Sequence, residues 1–310
     1  MPPILVTGGC GFIGSNLVNF FARKDQEVIV LDDLSNSQLC EFPRNVEFYR
    51  GDIRDTDLVA KLIREVSYIF HFAAVTAIPR TIHEWTDAHS VNLGGTVALF
   101  EIASQQQTPP PVVFASSSAV YGNSIIKNSE FRDTDPVSPY GLDKLVCEKQ
   151  AELFGKLKGL KTIGLRLFNV YGNHANSKSD YVGVIDRFIR NILSGGDLKI
   201  YGDGKQTRDF IHIDDVVNIA YRISSSISEM SQVINVASGK SASILEVAEE
   251  LISTTGINIE ITHDPGRPGD IYKSLADISV LQGMLPDYKF VSLNDGLGIT
   301  LQRYKASLKN

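Results

Sequence analysis

The segment Val6-Thr7-Gly8-Gly9-Cys10-Gly11-Phe12-Ile13-Gly14 gives the strongest indication of fold in this 310-residue chain. It follows a short apolar run, Ile4 to Thr7, and opens an amphipathic stretch typical of a helix. Glycines between a strand and a helix allow a tight turn and a close approach of the backbone to a pyrophosphate. The helix N-terminus adds N–H groups and the positive end of its dipole. We therefore expect a dinucleotide beside Gly8, Gly11, Phe12, Ile13 and Gly14.

An acidic residue, Asp32, ends the second predicted strand, where a carboxylate can bind the adenosine ribose. The residues that follow it, Asp33 to Asn36, carry no positive charge, so a 2′-phosphate would meet two carboxylates. The sequence therefore favours NAD over NADP, with Asp33 and Asn36 also near the cofactor. Asp52 and Ile53 follow the third strand, where Asp52 either reaches the adenine or caps the next helix.

Short apolar runs alternate with amphipathic stretches through the first half of the chain, which predicts repeated βα units. Most of the runs are apolar throughout, as expected for a parallel sheet covered on both faces. We expect an α/β fold with a doubly wound parallel sheet (a Rossmann fold) in residues 1–168, to which segments within roughly 212–236 return. Residues 169–310 are expected to form mainly a smaller mixed α/β substrate lobe. The predicted strands are Ile4 to Thr7, Glu27 to Asp32, Val46 to Arg50, Tyr68 to Phe72, Val112 to Ser116 and Thr162 to Phe168.

Composition limits the class of protein. Apolar residues make up 43 % of the chain and charged residues 21 %, which is typical of a globular protein. The net charge of −6 argues against a nucleic-acid or membrane partner, because these ligands call for clustered positive charge. No apolar run approaches the ~20 residues of a membrane span, and we expect a cytoplasmic protein without a signal peptide. Three scattered cysteines and the histidine spacing suggest neither a disulfide framework nor a metal site.

A candidate catalytic pair lies in Pro139-Tyr140-Gly141-Leu142-Asp143-Lys144-Leu145, where the four-residue spacing places Tyr140 and Lys144 on one helix face. A tyrosine with a pKa near 10 is a poor base at neutral pH, but a close ammonium and the positive nicotinamide ring favour the phenolate. Ser117, in a serine run beyond a strand, is suited to orienting the substrate proton, and Ser118 is a near rival. A Tyr-x-x-x-Lys spacing by itself is common on ordinary helix surfaces. Here a predicted dinucleotide-binding turn precedes it in the sequence, which favours a catalytic role for Tyr140 and Lys144.

Further motifs occur in a fixed order along nearly the whole chain: Gly51-Asp52-Ile53-Arg54-Asp55, His71-Phe72-Ala73-Ala74, Asn92, the Tyr140/Lys144 pair, Arg166-Leu167-Phe168-Asn169-Val170-Tyr171-Gly172, Thr207-Arg208-Asp209-Phe210-Ile211-His212 and Arg267-Pro268-Gly269-Asp270. Together they resemble the extended short-chain dehydrogenases/reductases, and within them the UDP-glucose 4-epimerase-like enzymes. The resemblance implies a tightly bound NAD that takes a hydride from C4 of a hexose while Tyr140 removes the O4 proton. It further implies cofactor contacts from Phe72, Ala73, Ala74, Asn92, Ser116, Tyr140 and Lys144.

Three positions select among the reactions of such enzymes. The 4,6-dehydratases that this chain resembles carry an Asp-Glu pair where it has Ser118 and Ala119, and decarboxylases and uronate epimerases usually carry Thr at Asn169. The resemblance therefore implies a UDP-hexose 4-epimerase. Alternatives are another sugar-nucleotide epimerase, such as one for UDP-glucuronate, a reductase, or a non-catalytic NAD-binding protein. The substrate contacts that the resemblance implies are Thr76, Ser117, Tyr140, Asn169, Val184, Lys199, Ile200, Tyr201, Arg208, Arg267, Asp270 and Ser274.

Ser274 lies four residues after Asp270, at the position where some similar enzymes carry a tyrosine that closes the sugar pocket. A serine there leaves room for a 2-N-acetyl group, so N-acetylhexosamines join glucose and galactose as candidate sugars. The resemblance also implies a homodimer that forms through the helices of residues 92–103 and 140–154, although core packing explains their apolar residues equally well.

Overall fold

The computed structural model describes residues 2–39, 41–124, 126–173, 183–225, 227, 231–257, 259–266 and 271–307. Its strands are β1 (Ile4–Thr7), β2 (Val28–Asp32), β3 (Val46–Arg50), β4 (Tyr68–His71), β5 (Val112–Ser117), β6 (Thr162–Leu167), β7 (Asn169–Tyr171), β8 (Leu198–Tyr201), β9 (Thr207–His212), β10 (Ser231–Val236), β11 (Ser241–Ser243) and β12 (Ile261–Asp264). Within these ranges seven parallel strands form one sheet in the order β10-β6-β5-β4-β1-β2-β3. This order confirms the predicted doubly wound sheet, with its reversal point between β1 and β4.

Helices cover both faces of the sheet. They are α1 (Phe12–Ala22), α2 (Thr56–Ile63), α3 (Ile78–His83), α4 (Trp85–His89), a π-helix (Ser90–Gly95), α5 (Thr96–Ser104), a 3₁₀ turn (Ser118–Tyr121), α6 (Pro139–Lys158), α7 (Val184–Leu193), α8 (Ile213–Ser224), α9 (Ile244–Thr255), α10 (Ser279–Met284) and α11 (Leu293–Ser307). None of the helices in the described part of the chain is long and apolar enough to cross a membrane.

Alternate residues of the strands supply two separate cores. Val6 and Val30 point to the face covered by α1 and α8, whereas their neighbours Leu5 and Leu31 point to the face covered by α2, α5 and α6. Burial on both faces explains why these strands are apolar throughout. The edge strand β3 is only partly buried, because it has a neighbour on one side.

The second half of the chain divides between this sheet and a smaller lobe. β10 pairs with β6 and so extends the Rossmann sheet, whereas α8 packs on α1 and covers one face of it. Helices α7, α9 and α11 enclose a third core, which includes Phe188 and Leu251. Strand β9 pairs with β7 and β11 in a small sheet that leads from the main sheet to this lobe.

Local sequence fixes both ends of α6, the helix that carries the candidate catalytic pair. The Ser138 side chain accepts a hydrogen bond from the Gly141 N–H, and Pro139 occupies the first helical position. Gly159 ends the helix at φ 69°, a left-handed conformation that glycine adopts without a side-chain clash. These signals place Tyr140 in the first turn, next to the carboxyl end of β5.

Candidate active site

The glycine turn forms a cradle that side chains would fill. Gly8 has φ +67°, and a Cβ atom there would lie 2.6 Å from the Ala73 nitrogen. At Gly14 a Cβ atom would lie 2.1 Å from the Gly8 oxygen, so the helix start packs directly on the turn. These close approaches fit the predicted role of the turn, which brings backbone N–H groups to a pyrophosphate.

A groove of about 300 Å³ runs from this turn along the carboxyl ends of the strands. Ten of the predicted cofactor residues line it: Gly8, Gly11, Asp32, Asp33, Asn36, Asp52, Ile53, Phe72, Ala73 and Ala74. The lining, the cradle and the position at the reversal point of the sheet suit a dinucleotide.

The carboxylate of Asp32 is buried and held in one orientation. Its Oδ2 accepts a hydrogen bond from the Cys10 N–H (2.9 Å), and its Oδ1 accepts from the Leu34 N–H (2.9 Å) and the Ser37 hydroxyl (3.1 Å). Leu34 adopts φ 61°, a conformation rare for a residue with a branched side chain, which turns the chain tightly after Asp32. A carboxylate offers about four acceptor positions, so capacity for a ribose hydroxyl remains.

The structure resolves the two roles considered for Asp52. The cap of α2 is Asp55, whose side chain accepts from the Leu58 N–H. Asp52 instead lies in the groove and receives a forked pair of hydrogen bonds from Arg54, which holds the pKa of its carboxyl below the usual value. Arg54 and Arg80 also line the groove, although neither is among the predicted cofactor residues.

Other predicted cofactor residues do not line the groove. The Ser116 hydroxyl donates to Glu148 Oε1 (2.5 Å), beneath the active-site surface. Asn92 is fully buried, and its amide bonds both the N–H and the carbonyl of Val75. These polar side-chain groups bond within the protein interior, where they support the floor of the groove. The predicted cofactor contacts of Ser116 and Asn92 stay a prediction.

Phe12 and Ile13 pack their side chains against the sheet core, and Gly14 has no side chain to offer. Any contact that these three residues make with a cofactor comes from the backbone of the first helical turn, whose N–H groups lack carbonyl partners within the helix. Their predicted role remains a proposal about the backbone.

The candidate catalytic side chains meet where β5 ends and α6 begins. The Ser117 and Tyr140 side chains lie at the same cavity, and Lys144 Nζ lies 5.7 Å from the centre of the Tyr140 ring. Ser118 lines that cavity as well, so the choice of Ser117 as the catalytic hydroxyl stays a prediction. Burial raises the pKa of Tyr140 to about 12, and the neighbouring Ser117 side chain opposes the rise. Burial also lowers the pKa of Lys144, which lies beneath the tyrosine.

A buried polar chain supports the floor of the site. His71 bonds Thr7 Oγ1 through Nδ1 (2.7 Å) and Thr96 Oγ1 through Nε2 (2.9 Å), and Thr96 donates to the Asn92 carbonyl (2.6 Å). Burial and the nearby Lys144 lower the pKa of His71 to about 3, so the ring stays neutral at physiological pH. Within the described residues, no group of three or more His, Cys, Asp and Glu side chains could hold a metal ion.

A second buried network joins α6 to the sheet. Glu148 accepts two hydrogen bonds from the Arg166 guanidinium (2.9 and 2.7 Å) and one from the Ser116 hydroxyl. Arg166 Nη1 also donates a hydrogen bond to the Tyr121 hydroxyl oxygen (2.9 Å). Because Glu148 lies one helical turn beyond Lys144, this network fixes the helix behind the catalytic pair.

A cavity of about 530 Å³ opens above the Ser117–Tyr140 pair, between the sheet and the smaller lobe. Six predicted substrate residues line it: Thr76, Ser117, Tyr140, Asn169, Arg208 and Ser274. Further lining residues that the sequence analysis missed include Ile78, Pro79, Asn123 and Ile271. They carry no polar motif, apart from the Asn123 amide, so nothing in the sequence distinguished them from ordinary loop residues.

The remaining predicted substrate residues lie elsewhere. Ile200 is fully buried in the core of the smaller lobe, and Val184 packs against the same core, so a substrate contact of either residue would come from its backbone and stays a prediction. Lys199 pairs with Asp264 (3.3 Å) and Tyr201 lies under the guanidinium of Arg187, away from the cavity lining. The last two predicted residues, Arg267 and Asp270, lie outside the described residues.

Comparison with known proteins agrees with this geometry. A profile of the NAD dependent epimerase/dehydratase family matches residues 4–237. The chain belongs to this family. A putative UDP-glucose 4-epimerase of Methanocaldococcus jannaschii is 32 % identical over 283 residues, which are 91 % of this chain and 92 % of that protein. The resemblance to 4-epimerase-like extended dehydrogenases is thus confirmed, as is NAD as the cofactor of the family.

Two solved structures are similar over nearly their whole length. The UDP-N-acetylglucosamine 4-epimerase of Methanobrevibacter ruminantium M1, in complex with UDP-N-acetylmuramic acid, has a TM-score of 0.91 at 32 % identity, with 98 % of each chain covered. The UDP-glucose 4-epimerase of Thermotoga maritima, with UDP-glucose, has a TM-score of 0.91 at 30 % identity, with 99 % of each chain covered.

Proposed function

We propose that this protein is an NAD-dependent 4-epimerase of UDP-hexoses. The observation that carries the proposal is that Ser117 and Tyr140, with Lys144 close to the tyrosine ring, face one cavity that Asn169 and Arg208 also line. The named relatives and similar structures, which act on UDP-glucose or UDP-N-acetylglucosamine, support it.

The side chains divide the proposed work between them. Tyr140 takes the O4 proton of the sugar, and the neighbouring Ser117 hydroxyl orients the sugar O4 hydroxyl. NAD, held by the glycine turn at Gly8 and by the Asp32 carboxylate, would supply hydride acceptance and return at C4 of the sugar. The positive charge of Lys144 lowers the cost of the phenolate, which is necessary because burial raises the pKa of Tyr140 to about 12. Arg208 is suited to a diphosphate by its forked donors.

The direct test is interconversion of UDP-galactose and UDP-glucose by the purified protein without added NAD. We expect turnover in the wild type and a loss of about 10²–10⁴-fold in Tyr140→Phe, the range that general acid–base catalysis typically contributes. The variant should keep its bound NAD, since the phenyl ring preserves the packing. Absence of wild-type turnover with every UDP-hexose, or a Tyr140→Phe rate within a few-fold of wild type, would contradict the proposal.

The sugar specificity rests on Ser274. Its backbone N–H donates to the Thr207 carbonyl (3.1 Å), and its small side chain lines the cavity on the wall that Arg208 and Ile271 also form. We propose that this space accepts a 2-N-acetyl group, so that UDP-N-acetylhexosamines are substrates beside UDP-glucose and UDP-galactose.

The test compares UDP-glucose, UDP-galactose, both N-acetyl analogues and UDP-glucuronate, with products resolved by NMR. Ser274→Tyr should remove turnover of the N-acetyl sugars and keep that of the plain hexoses, whereas Ser274→Ala should keep both. If the wild type does not turn over UDP-N-acetylglucosamine, the proposed role of Ser274 is wrong. If the wild type turns over only UDP-glucuronate, the protein is a UDP-glucuronate epimerase instead, and the proposed hexose specificity is wrong.

We also propose that the protein is a homodimer formed through α5 and α6. An apolar stripe on α6 is open to solvent, with Leu142, Leu153 and Leu157 exposed by 48, 49 and 75 %. Phe100 on α5 is fully buried against Phe114 and is not available to this interface. Light scattering should give a dimeric mass for the wild type and a monomeric mass for Leu153→Glu combined with Leu157→Glu. A monomeric wild type would contradict the dimer.

A further inference from the structure

The adenine end of the cofactor groove is crossed by a set of charge-assisted bonds. Arg54, two residues beyond Asp52 on the β3–α2 loop, places Nη2 2.6 Å from Asp52 Oδ2 and Nε 3.0 Å from both carboxylate oxygens. Its Nη1 lies 2.8 Å from Asp87 Oδ1 on α4 and 2.8 Å from the Ser90 hydroxyl at the start of the π-helix. One guanidinium therefore joins two segments that are more than thirty residues apart in sequence.

These two segments are opposite walls of the groove. Asp52, Ile53 and Arg54 line it from the loop after β3, and Arg80, Asp87 and Val91 line it from α3, α4 and the π-helix. A ligand in this part of the groove lies between walls that Arg54 ties together. We name Arg54 with Asp52, Asp87 and Ser90 the Arg54 clasp.

The second wall also reaches the substrate cavity. Thr76, just before α3, and Ile78 and Pro79 at its start line that cavity. His89 bonds this wall to the catalytic helix α6, since its Nδ1 lies 2.7 Å from Asp143 Oδ1. Arg54 bonds the wall to the Asp52 side of the groove at Asp87 and Ser90, which flank His89.

We propose that the Arg54 clasp retains the dinucleotide: it closes the adenine end of the groove and holds the Asp52 carboxylate in place, so that clasp opening limits the rate of cofactor release. The clasp is partly exposed, with 40 % of the Arg54 side chain and 50 % of the Asp87 side chain accessible. Exposed ion pairs are weakened by salt, so release should accelerate as the ionic strength rises. The inference depends on the binding of a nicotinamide dinucleotide and is independent of which sugar is epimerised.

The experiment measures cofactor release directly. Protein loaded with NADH is mixed with a large excess of NAD, and the decay of the NADH fluorescence gives the dissociation rate. We expect Arg54→Ala and Asp87→Ala each to accelerate release about three- to tenfold, the range given by one or two exposed charged bonds. Because both variants break the same clasp, the double variant should be no faster than the faster single variant.

Arg303→Ala is the matched control. Arg303 makes a forked bond to Asp214 (2.9 and 2.7 Å), and 41 % of its side chain is exposed, but the pair joins α11 to α8 away from both cavities. This control should release NADH at the wild-type rate. Raising salt from about 0.1 M to about 1 M should accelerate release from the wild type and change the rate of Asp87→Ala by less than twofold.

Three results would overturn the proposal. The Asp87→Ala rate could equal that of the wild type within twofold, which would mean that the crossing bond does not limit release. Acceleration in Arg54→Ala alone would show that Arg54 acts only on the orientation of Asp52. Rates that multiply in the double variant would show two independent effects. Asp87→Asn, which keeps the shape of the side chain, provides a second test if Asp87→Ala does not fold, and it should also accelerate release.

Discussion

Glu148→Ala tests whether the buried pair behind the catalytic helix holds α6 on the sheet. The side chains of Glu148 and Arg166 are each 5 % exposed and joined by two bonds, at 2.9 and 2.7 Å. Truncation leaves the Arg166 charge buried with the Tyr121 hydroxyl and the Glu130 carbonyl as its remaining neutral contacts, and it removes the acceptor of the Ser116 hydroxyl.

The expected cost follows from that geometry. Removal of one partner of a buried pair typically costs 3–5 kcal/mol, and one lost hydrogen bond adds about 1 kcal/mol. We therefore expect Glu148→Ala to lose about 4–6 kcal/mol of unfolding free energy, or roughly 6 to 9 °C in Tm for a chain of this length. Replacing both charged residues by methionine should cost less than either single truncation, because no uncompensated charge is left.

Thermal unfolding followed by circular dichroism measures the stability, and UDP-galactose turnover at a temperature where all variants are folded measures the consequence for the site. The kcat value should fall more than KM rises in Glu148→Ala, because Tyr140 and Lys144 lie on the same face of α6 as Glu148. The reasoning would be refuted by a Tm within about 2 °C of wild type, or by a double variant that is no more stable than Glu148→Ala.

Three further changes have expected outcomes. Gly14→Ala places a Cβ atom 2.1 Å from the Gly8 oxygen, so it should destabilise the turn and lose co-purifying NAD; a wild-type Tm with full cofactor content would contradict this. Burial raises the pKa of the Asp186 carboxyl to about 7 from its ordinary value of 3.8. The stabilising contribution of the protonated carboxyl is therefore full below pH 3.8 and is lost as the pH rises to about 7. Asp186→Asn, which keeps an acceptor for the Tyr304 hydroxyl, should gain on the order of 1–3 kcal/mol in urea unfolding near pH 9 and nothing near pH 4. The pKa of His71 is lowered to about 3 from 6.5, so the contribution of its neutral ring to the unfolding free energy is full above pH 6.5 and falls by about 1.4 kcal/mol per pH unit below it. His71→Gln should flatten the dependence of the unfolding free energy on pH between pH 6.5 and about 3.

Sequence reasoning succeeded where short segments have only one physical solution. The glycine turn, the strand that precedes it and the apolar strands of a sheet buried on both faces each follow from local chemistry. The predicted strand bounds agree with β1 to β6 within one residue at each end. Ser117 and Tyr140 could also be placed near each other from the sequence, because the carboxyl end of β5 and the first turn of α6 lie at the same edge of the sheet.

The sequence did not determine the orientation of individual side chains. Ser116 and Ser117 are adjacent, yet one points to Glu148 beneath the surface and the other to Tyr140 in the cavity, because successive strand residues face opposite sides. Ile200 lies in a segment whose position along the chain was compatible with a substrate contact, but its strand turns this residue into the core of the smaller lobe.

The chain order of its motifs therefore specifies a dinucleotide fold and the tyrosine–lysine pair, since turns, caps and helix spacing depend on neighbours a few residues away. Which serine meets Tyr140, which residues line the sugar cavity, and the crossing of the groove by Arg54 depend on contacts between segments distant in sequence. Arg54 and Asp87 are separated by 33 positions and become partners only because the β3–α2 loop and α4 form opposite walls of one groove. Such pairings are set by the packing of the sheet and its helices, which no local pattern encodes.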